Sequence, residues 1–385
     1  MDWHDAFEHP DLLRTRSALI DASQTMLNLA LGPADTMNSI TGPAITKLEV
    51  ARTLDYLGVP RAVPVREEIS VRELAGKLSV SEVLLHRQLR FAYLVGMFHE
   101  PREGFVAHTS LSAALPDFSP WLQLRLSPLF TDGVYKVPEA LATSPVKIPC
   151  QLADPKQRDM WQILEQDYPG DFFGTGMKSL MSGLLGRSLT PYIHGFDWQS
   201  LGPGTVIDVG GGNGHVEAHL IKEITNLNFI VQDLPVNAGP FKALFDQDAV
   251  QDKVKFQAHD FFQAQPPHSV PPKAYLLSRI LHDWQDDDCV EILRHLLPTM
   301  ESFGTKLFVC ERVLPDRCSD LPNHVEQQLR TQDLLMFTLF GGGERSRSDW
   351  AELFKKADPR LAIECVKQPL DSVFSFMELV IVPGN

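Results

Sequence analysis

The residues Val206-Ile207-Asp208-Val209-Gly210-Gly211-Gly212-Asn213-Gly214-His215 read as a strand, a glycine turn and the start of a helix. Glycine has no Cβ, so a ligand can lie against its backbone and the chain can take positive φ there. The first strand–helix crevice of an open sheet is where cofactors bind. A dinucleotide fingerprint, G-x-G-x-x-G counted from Gly210, would need glycine at 215, where His215 stands. Here the glycines fall at 210, 212 and 214, preceded by Asp208. Taken alone, such a turn could equally serve tight packing.

Three further strand ends carry chemistry. Asp233 closes Val231-Gln232-Asp233-Leu234-Pro235, 19 residues after Gly214. A carboxylate there can accept from both hydroxyls of a ribose; the alternative is a helix cap beside Pro235. In His259-Asp260-Phe261-Phe262, Asp260 can accept from an adenine amino group while Phe261 covers the ring face, or Asp260 can be a turn residue. Ser278-Arg279-Ile280-Leu281-His282-Asp283-Trp284 places His282 over the cofactor crevice. Histidine suits general-base work near neutral pH. Asp283 reads as structural, and Asp286 as the N-cap of the next helix. A catalytic imidazole needs a partner to fix its tautomer. Glu311 and Glu344 could each supply one, and each taken alone reads as a member of a surface salt bridge.

Composition bounds these readings. The chain has 385 residues, enough for two or three domains, with 44% hydrophobic and 22% charged residues. Those are the proportions of an ordinary globular protein and not of a disordered chain. The net charge of −14 argues against non-specific nucleic-acid binding. No apolar run approaches the ~20 residues of a membrane helix, and Met1–Ile20 lacks the apolar core of a signal peptide. The five cysteines form no C-x-x-C pair, which points to reduced thiols in the cytosol and away from a Cys-rich zinc site.

Elements that would position the site follow from periodicity. Residues 1–44 read as helix with a polar break, Gly32-Pro33 and Gly42-Pro43 as turn punctuation, and Ala44–Leu57 as a helix ended by Gly58. Ser70 and Glu73 form a capping box, Ser81 begins a helix to Val95, and Met97–His108 reads as a hairpin. Helix, turn, helix and hairpin describe a winged helix. Its second helix carries His86, Arg87 and Arg90, read as a solvated face given the acidic total. Residues 116–200 are mostly helical and rich in aromatics and Met. From Thr205, strands at 205–209, 229–232, 253–258, 274–278 and 306–311 alternate with helices at 215–223, 287–297 and 350–357. Two more strands lie within 361–383. This alternation predicts an α/β fold with a parallel sheet and crossover helices.

Together DVGGGNGH, QDLP, HDFF, LHDWQDDDC, VCERVLP and GGGERS, collinear over residues 200–385, resemble the class I S-adenosylmethionine-dependent O-methyltransferases of the caffeate and flavonoid type and their fungal natural-product branch. The resemblance implies a Rossmann-like methyltransferase domain at 201–385, a helical connector lining the substrate pocket at 121–200, and a winged-helix dimerisation domain at 1–120. It implies a homodimer. It implies cofactor contacts from Asp208, Gly210 and Gly212 at the methionine part, Asp233 and Leu234 at the ribose, and Asp260 and Phe261 at the adenine. Ser278 and Arg279 join them, and Ser182 reaches the cofactor carboxylate. His282 would be the base, flanked by Glu311 and Glu344. Plant members carry Lys where Ser278 stands, and their loop before the residue matching Glu344 is one residue longer.

The implied reaction is O-methylation of a secondary metabolite, with no metal required. The aromatic and Met residues Phe173, Met177, Met181, Met336 and Phe340, with Asp283 and Trp284, suggest an apolar, fairly planar acceptor. Some fungal relatives use the same pocket and bound cofactor for dehydration or pericyclic ring formation. In at least some of them a cationic residue replaces the histidine, whereas His282 is retained here. A DNA-binding regulator using the winged helix is a third reading, opposed by the net charge.

Overall fold

The computed structural model describes residues 10–168, 170–184, 189–245, 252–318, 321–369 and 372–382. The chain divides into two compact units. One comprises Met1–Asp21, Gly133–Gln162 and Arg187–Asn385; the other comprises Ala22–Asp132 and Ile163–Gly186.

The first unit is built on a seven-stranded sheet. From one edge to the other its strands are Leu361–Lys367, Ser375–Ile381, Lys306–Glu311, Ala274–Ser278, Gly204–Val209, Leu227–Asp233 and Val254–Ala258. The five strands from Lys306–Glu311 to Val254–Ala258 are parallel, as expected. The last strand in sequence is not: Ser375–Ile381 runs antiparallel to both of its neighbours, Leu361–Lys367 and Lys306–Glu311. The sheet is therefore mixed. The two final strands follow one another across a short connection, too short for a parallel crossover.

The strand side chains alternate between two cores, as the pleat requires. Ile207, Val209, Tyr275, Leu277, Leu307, Val309, Met377 and Leu379 pack against helices Asp286–Phe303 and Arg347–Ala357. On the other face Phe308 stacks on Phe196 at 4.4 Å between centroids, and Phe376 meets Phe196 edge-on at 5.1 Å.

Several expected boundaries move. Helix Asp286–Phe303 has Gln285 at its N-cap, so Asp286 is its first residue and not its cap. The helix also runs through Pro298, because Leu296 and Met300 on its buried face keep packing on either side of the lost backbone bond. Helix Asn323–Phe340 was not legible, since its first half is largely polar.

In the second unit, helix Val71–Leu78 is capped by Ser70, which accepts from Glu73 N at 3.1 Å, and helix Glu82–Leu94 by Ser81. A small antiparallel sheet follows, with Phe105–His108 between Ile69–Ser70 and Phe98–His99. These elements enclose a core of Leu54, Leu74, Leu85, Leu89, Phe98 and Val106. Asp55 is 3% exposed, and its Oδ2 accepts within the unit from Ser119 Oγ at 2.9 Å and Gln123 Nε2 at 3.2 Å. Arg87 and Arg90 are exposed. Helix Pro10–Thr41 is broken at Gly32, whose φ is +67°, matching the expected interruption. Among the described residues no helix is long and apolar enough to cross a membrane.

Gly195 shows how tightly the aromatic core is closed. A Cβ there would fall on the ring of Phe376, which is fully buried and cannot yield. Gly195→Ala is expected to lower the free energy of unfolding by about 1–3 kcal/mol, read from urea titrations.

Candidate active site

The site is assembled at the carboxyl ends of the parallel strands. Strand Gly204–Val209 leads into the glycine turn, where Gly210 N and Gly211 N both donate to Gln232 O, at 2.8 and 3.2 Å. Gly210 and Gly212 have φ of +78° and +61°, which side-chain-bearing residues rarely adopt. A Cβ at Gly210 would meet Ile280 and Phe261. A Cβ at Gly212 would stand in open space, so that face of the turn is clear for a ligand.

Asp233 binds the turn to the next strand. Its Oδ2 accepts from Gly212 N at 2.7 Å; its Oδ1 accepts from Leu234 N at 2.7 Å and Asn237 Nδ2 at 2.8 Å. The helix-cap alternative is not realised, since Leu234 is the N-cap of the turn that begins at Pro235 and has no side-chain cap hydrogen bond; Asp233 braces the glycine turn instead. Leu234 is 51% exposed beside it. Asp260 Oδ1 accepts from Phe262 N at 3.0 Å, the turn geometry weighed for it. Phe261 meets Trp284 at 5.8 Å and Phe262 meets Trp284 at 4.7 Å, both edge-on. Trp284 therefore ties the Asp260 loop to the His282 segment.

Ser278 Oγ is engaged by Tyr192 Oη at 2.7 Å. Arg279, with φ of +58°, is one of the few non-glycine residues in the left-handed region. One of its terminal nitrogens donates to His215 Nε2 at 3.3 Å. His215 Nδ1 lies 3.2 Å from Asn213 Oδ1, so an Nδ1–H tautomer satisfies both contacts. Arg279 Nε is buried without a partner among the described residues. An open glycine turn, a strand-end carboxylate, an exposed Leu234, the Phe261 ring and an under-partnered guanidinium suit a nucleoside joined to a zwitterionic tail. The residues fit S-adenosylmethionine.

His282 is 7% exposed. Its Nδ1 lies 3.1 Å from Glu311 Oε2 and 3.4 Å from Glu344 Oε1, and its Nε2 lies 3.4 Å from Asp283 Oδ1. Glu311 and Glu344 are both buried, at 0% and 6% exposure, so neither is the surface salt-bridge member each suggested alone. Glu311 Oε1 accepts from Ile280 N at 2.9 Å and Leu281 N at 2.8 Å. Glu344 Oε1 accepts from Arg312 Nη1 at 3.1 Å.

Burial alone would lower the His282 pKa, but the charges of Glu311, Asp283 and Glu344 together hold it well above the ordinary value. Burial pushes the Asp283 carboxyl up to about 7, against the pull of His282. Burial also works against the Glu344 charge, yet His282 and Arg312 keep it ionised below the usual range. Ligating atoms of His282, Glu311 and Glu344 lie within 4.8 Å of one another, a spacing a divalent cation could use and one the sequence did not suggest. The two carboxylates here already face two cations, the imidazolium and Arg312.

Long-range residues absent from the sequence reading complete the site. Arg345 donates to Leu281 O and Trp284 O, each at 3.0 Å, clamping the His282 segment through its main chain. Gly343 N donates to His282 O at 2.9 Å, and a Cβ on Gly342 would run into the same segment. The glycine run Gly341-Gly342-Gly343 was the available signal for this close approach. Met336 is buried on helix Asn323–Phe340, and Phe340 packs on Trp161 at 5.2 Å. Phe173 and Met177 are half-buried on helix Phe172–Leu184 of the second unit. Met181 and Ser182 are on the same helix, and their side chains lie outside the described residues.

A mixed sheet with five parallel strands that carries an open glycine turn and a carboxylate-flanked histidine is consistent with the class I methyltransferase fold. The family model for the O-methyltransferase domain matches residues 171–358. The chain is 33% identical to the O-methyltransferase aoiO of Aspergillus oryzae over 94% of this chain and 90% of that protein. It is 30% identical to the O-methyltransferase bik3 of Gibberella fujikuroi, over 95% and 82% respectively. Among solved structures, the mitomycin 7-O-methyltransferase MmcR superposes with a TM-score of 0.78 at 24% identity, covering 93% of this chain and all of that one. LepI in complex with SAM gives 0.79 at 21% identity, covering 95% and 94%. The chain belongs to the O-methyltransferase family, whose methyl donor is S-adenosylmethionine.

Because the His282 pKa is raised, the stabilisation from its charged form is complete below the ordinary histidine range. It is lost as pH rises through the raised value. Glu311→Gln keeps an oxygen for the amides of Ile280 and Leu281 but removes a charge beside Nδ1. Its His282 is expected to titrate lower than that of the wild type in a histidine NMR titration.

Proposed function

We propose that this protein methylates a hydroxyl of an aromatic or polyketide-like secondary metabolite, with His282 as general base. The observation that carries this reading is the placement of His282 Nδ1 between two buried carboxylates, at 3.1 and 3.4 Å, on the segment that follows the strand next to the glycine turn. When bound, S-adenosylmethionine supplies an electrophilic methyl group on a positively charged sulfur. Asp208, Gly210, Gly212, Asp233, Leu234, Asp260, Phe261, Ser278 and Arg279 would hold it, with Ser182.

A phenol ionises near ~10, so at neutral pH its oxygen carries a proton that must be removed. Neutral His282 accepts that proton at Nε2. Glu311 and Glu344 fix the proton on Nδ1 beforehand and stabilise the imidazolium that results. Met336, Phe340, Trp284 and Asp283 are proposed to contact the acceptor. Phe173, Met177 and Met181 join them on the strength of the sequence pattern. Residues 1–120 are proposed as a winged-helix dimerisation domain, 121–200 as a connector and 201–385 as the cofactor-binding domain of a homodimer.

A second reading rests on the charge of the site. An imidazolium held above its ordinary pKa can polarise a carbonyl, as a cofactor-retaining pericyclase would require. The neighbour described as a pericyclic reaction enzyme has this fold at 21% identity.

Mass spectrometry of the protein with S-adenosylmethionine and candidate phenols separates the two. Gain of one methyl with release of S-adenosylhomocysteine is expected; an isomerised or dehydrated product with intact cofactor would select the pericyclase. His282→Ala is expected to lower kcat by roughly 10²–10⁴ while cofactor affinity is kept. For the wild type, kcat/KM should rise with pH to an apparent pKa above ~6.5, because the base must first lose its own proton.

A further inference from the structure

A second buried charge set lies beneath the glycine turn: it joins Asp208, placed above among the cofactor contacts, to Glu217, which the reaction proposed above does not use. Glu217 is the third residue of helix His215–Glu223 and is fully buried. Asp208, near the carboxyl end of strand Gly204–Val209, is 1% exposed. Their carboxyl groups are within hydrogen-bonding reach of one another. Neither oxygen of Glu217, nor Oδ1 of Asp208, has a donor among the described residues. Asp208 Oδ2 lies under Gly211, where a Cβ would strike it. The pair is thus in contact with the floor of the turn.

Charged groups that face the pair are Asp233, from the end of the neighbouring strand, and Arg279, from the segment after Ala274–Ser278. Asp233 is engaged by Gly212 N, Leu234 N and Asn237 Nδ2. Arg279 directs one terminal nitrogen to His215. Neither bonds to the pair. Two buried carboxylates in contact cannot both ionise without a large cost. One proton between them converts an acceptor–acceptor clash into a hydrogen bond. Burial pushes Glu217 up to about 7 and Asp208 well above the usual carboxylate range, and the two titrate as a unit.

We propose that Glu217 is a positioning residue for the cofactor: it shares one proton with Asp208 beneath the glycine turn, and a cationic ligand on the turn releases that proton to solvent. The proposal rests on the S-adenosylmethionine reading given above. A positive charge held on the turn lowers the cost of ionising the pair, so binding and proton loss are linked. S-adenosylmethionine carries the sulfonium charge and S-adenosylhomocysteine does not, so the two ligands differ in the protons they release.

Calorimetric titration near pH 7, in two buffers of different ionisation enthalpy, counts those protons. Wild type is expected to release close to one proton with S-adenosylmethionine and fewer with S-adenosylhomocysteine. Its affinity for the former should rise with pH by up to about tenfold per unit. Glu217→Gln keeps a donor for Asp208 but has no proton to lose; it should release none, with affinity flat in pH. Equal release by the two proteins, or tight binding with no release by wild type, would overturn the proposal.

If wild type fails to bind S-adenosylmethionine at all, the cofactor reading falls and the linkage falls with it. Proton sharing is then still decided by the ligand-free protein. A carboxyl raised on folding contributes stability below its unfolded pKa, near ~4.3, that is lost as pH rises through about 7. The wild-type Tm should therefore fall more steeply between about pH 5 and 8 than that of Glu217→Gln. Parallel profiles would overturn the sharing. Glu217→Asn, which also carries an amide donor and no titrating proton, replaces the Gln variant in both measurements if that variant does not fold.

Discussion

Glu311 is the residue on which the catalytic half of the molecule turns. It is fully buried, at the end of a central strand, and it faces two ways. One oxygen receives the amides of Ile280 and Leu281; the other stands 3.1 Å from His282 Nδ1. A carboxylate in such a place is costly unless its lone pairs are filled and its charge is matched. The segment that carries the histidine fills one oxygen through its amides and matches the charge through the imidazole. The imidazole therefore does not merely sit beside Glu311. The main chain leading to it is shaped by the same carboxylate, and the requirement for charge balance holds backbone and ring together.

Around that centre the parallel strands deliver two kinds of chemistry to one edge. Gly204–Val209 and Leu227–Asp233 contribute the open turn and its carboxylate brace. Ala274–Ser278 and Lys306–Glu311 contribute the histidine segment and its partner. Arg279 lies between the two, and its left-handed backbone is the strained link in the passage. Its backbone N–H nevertheless donates to Cys310 O at 2.9 Å, continuing the sheet's bonding past the strand end. The aromatic contact of Trp284 with Phe261 and Phe262 joins the same two regions through side chains.

Local chemistry was legible in the sequence wherever chain neighbours decide it. The glycine turn, Asp233 and His282 each follow a short apolar strand, and the strand end dictates what such residues can reach. What depended on distant partners was not legible. Glu311 and Glu344 read as possible partners of His282 and, each taken alone, as surface charges, because nothing near them in sequence shows that separate elements bury both against one imidazole. Glu217 drew no notice in the sequence, where an acid in the first turn of a helix is commonplace, and only the packing of that helix makes it buried. The reversal of Ser375–Ile381 was hidden for a similar reason: an apolar strand has the same pattern in either direction. Helix Asn323–Phe340 hid its identity in a polar first half, and Arg345 had no local signature for a clamp on main-chain carbonyls.

That clamp bears on how such a protein can diversify. Arg345, Gly343 and Glu311 all hold the segment 280–284 through its backbone N–H and C=O groups. Backbone groups are the same whatever side chain they carry. Replacements among the surrounding apolar residues can therefore reshape what is bound while the histidine keeps its place. Stability of the base and novelty of the acceptor are drawn from different atoms of the same few residues, and a lineage can explore one without surrendering the other.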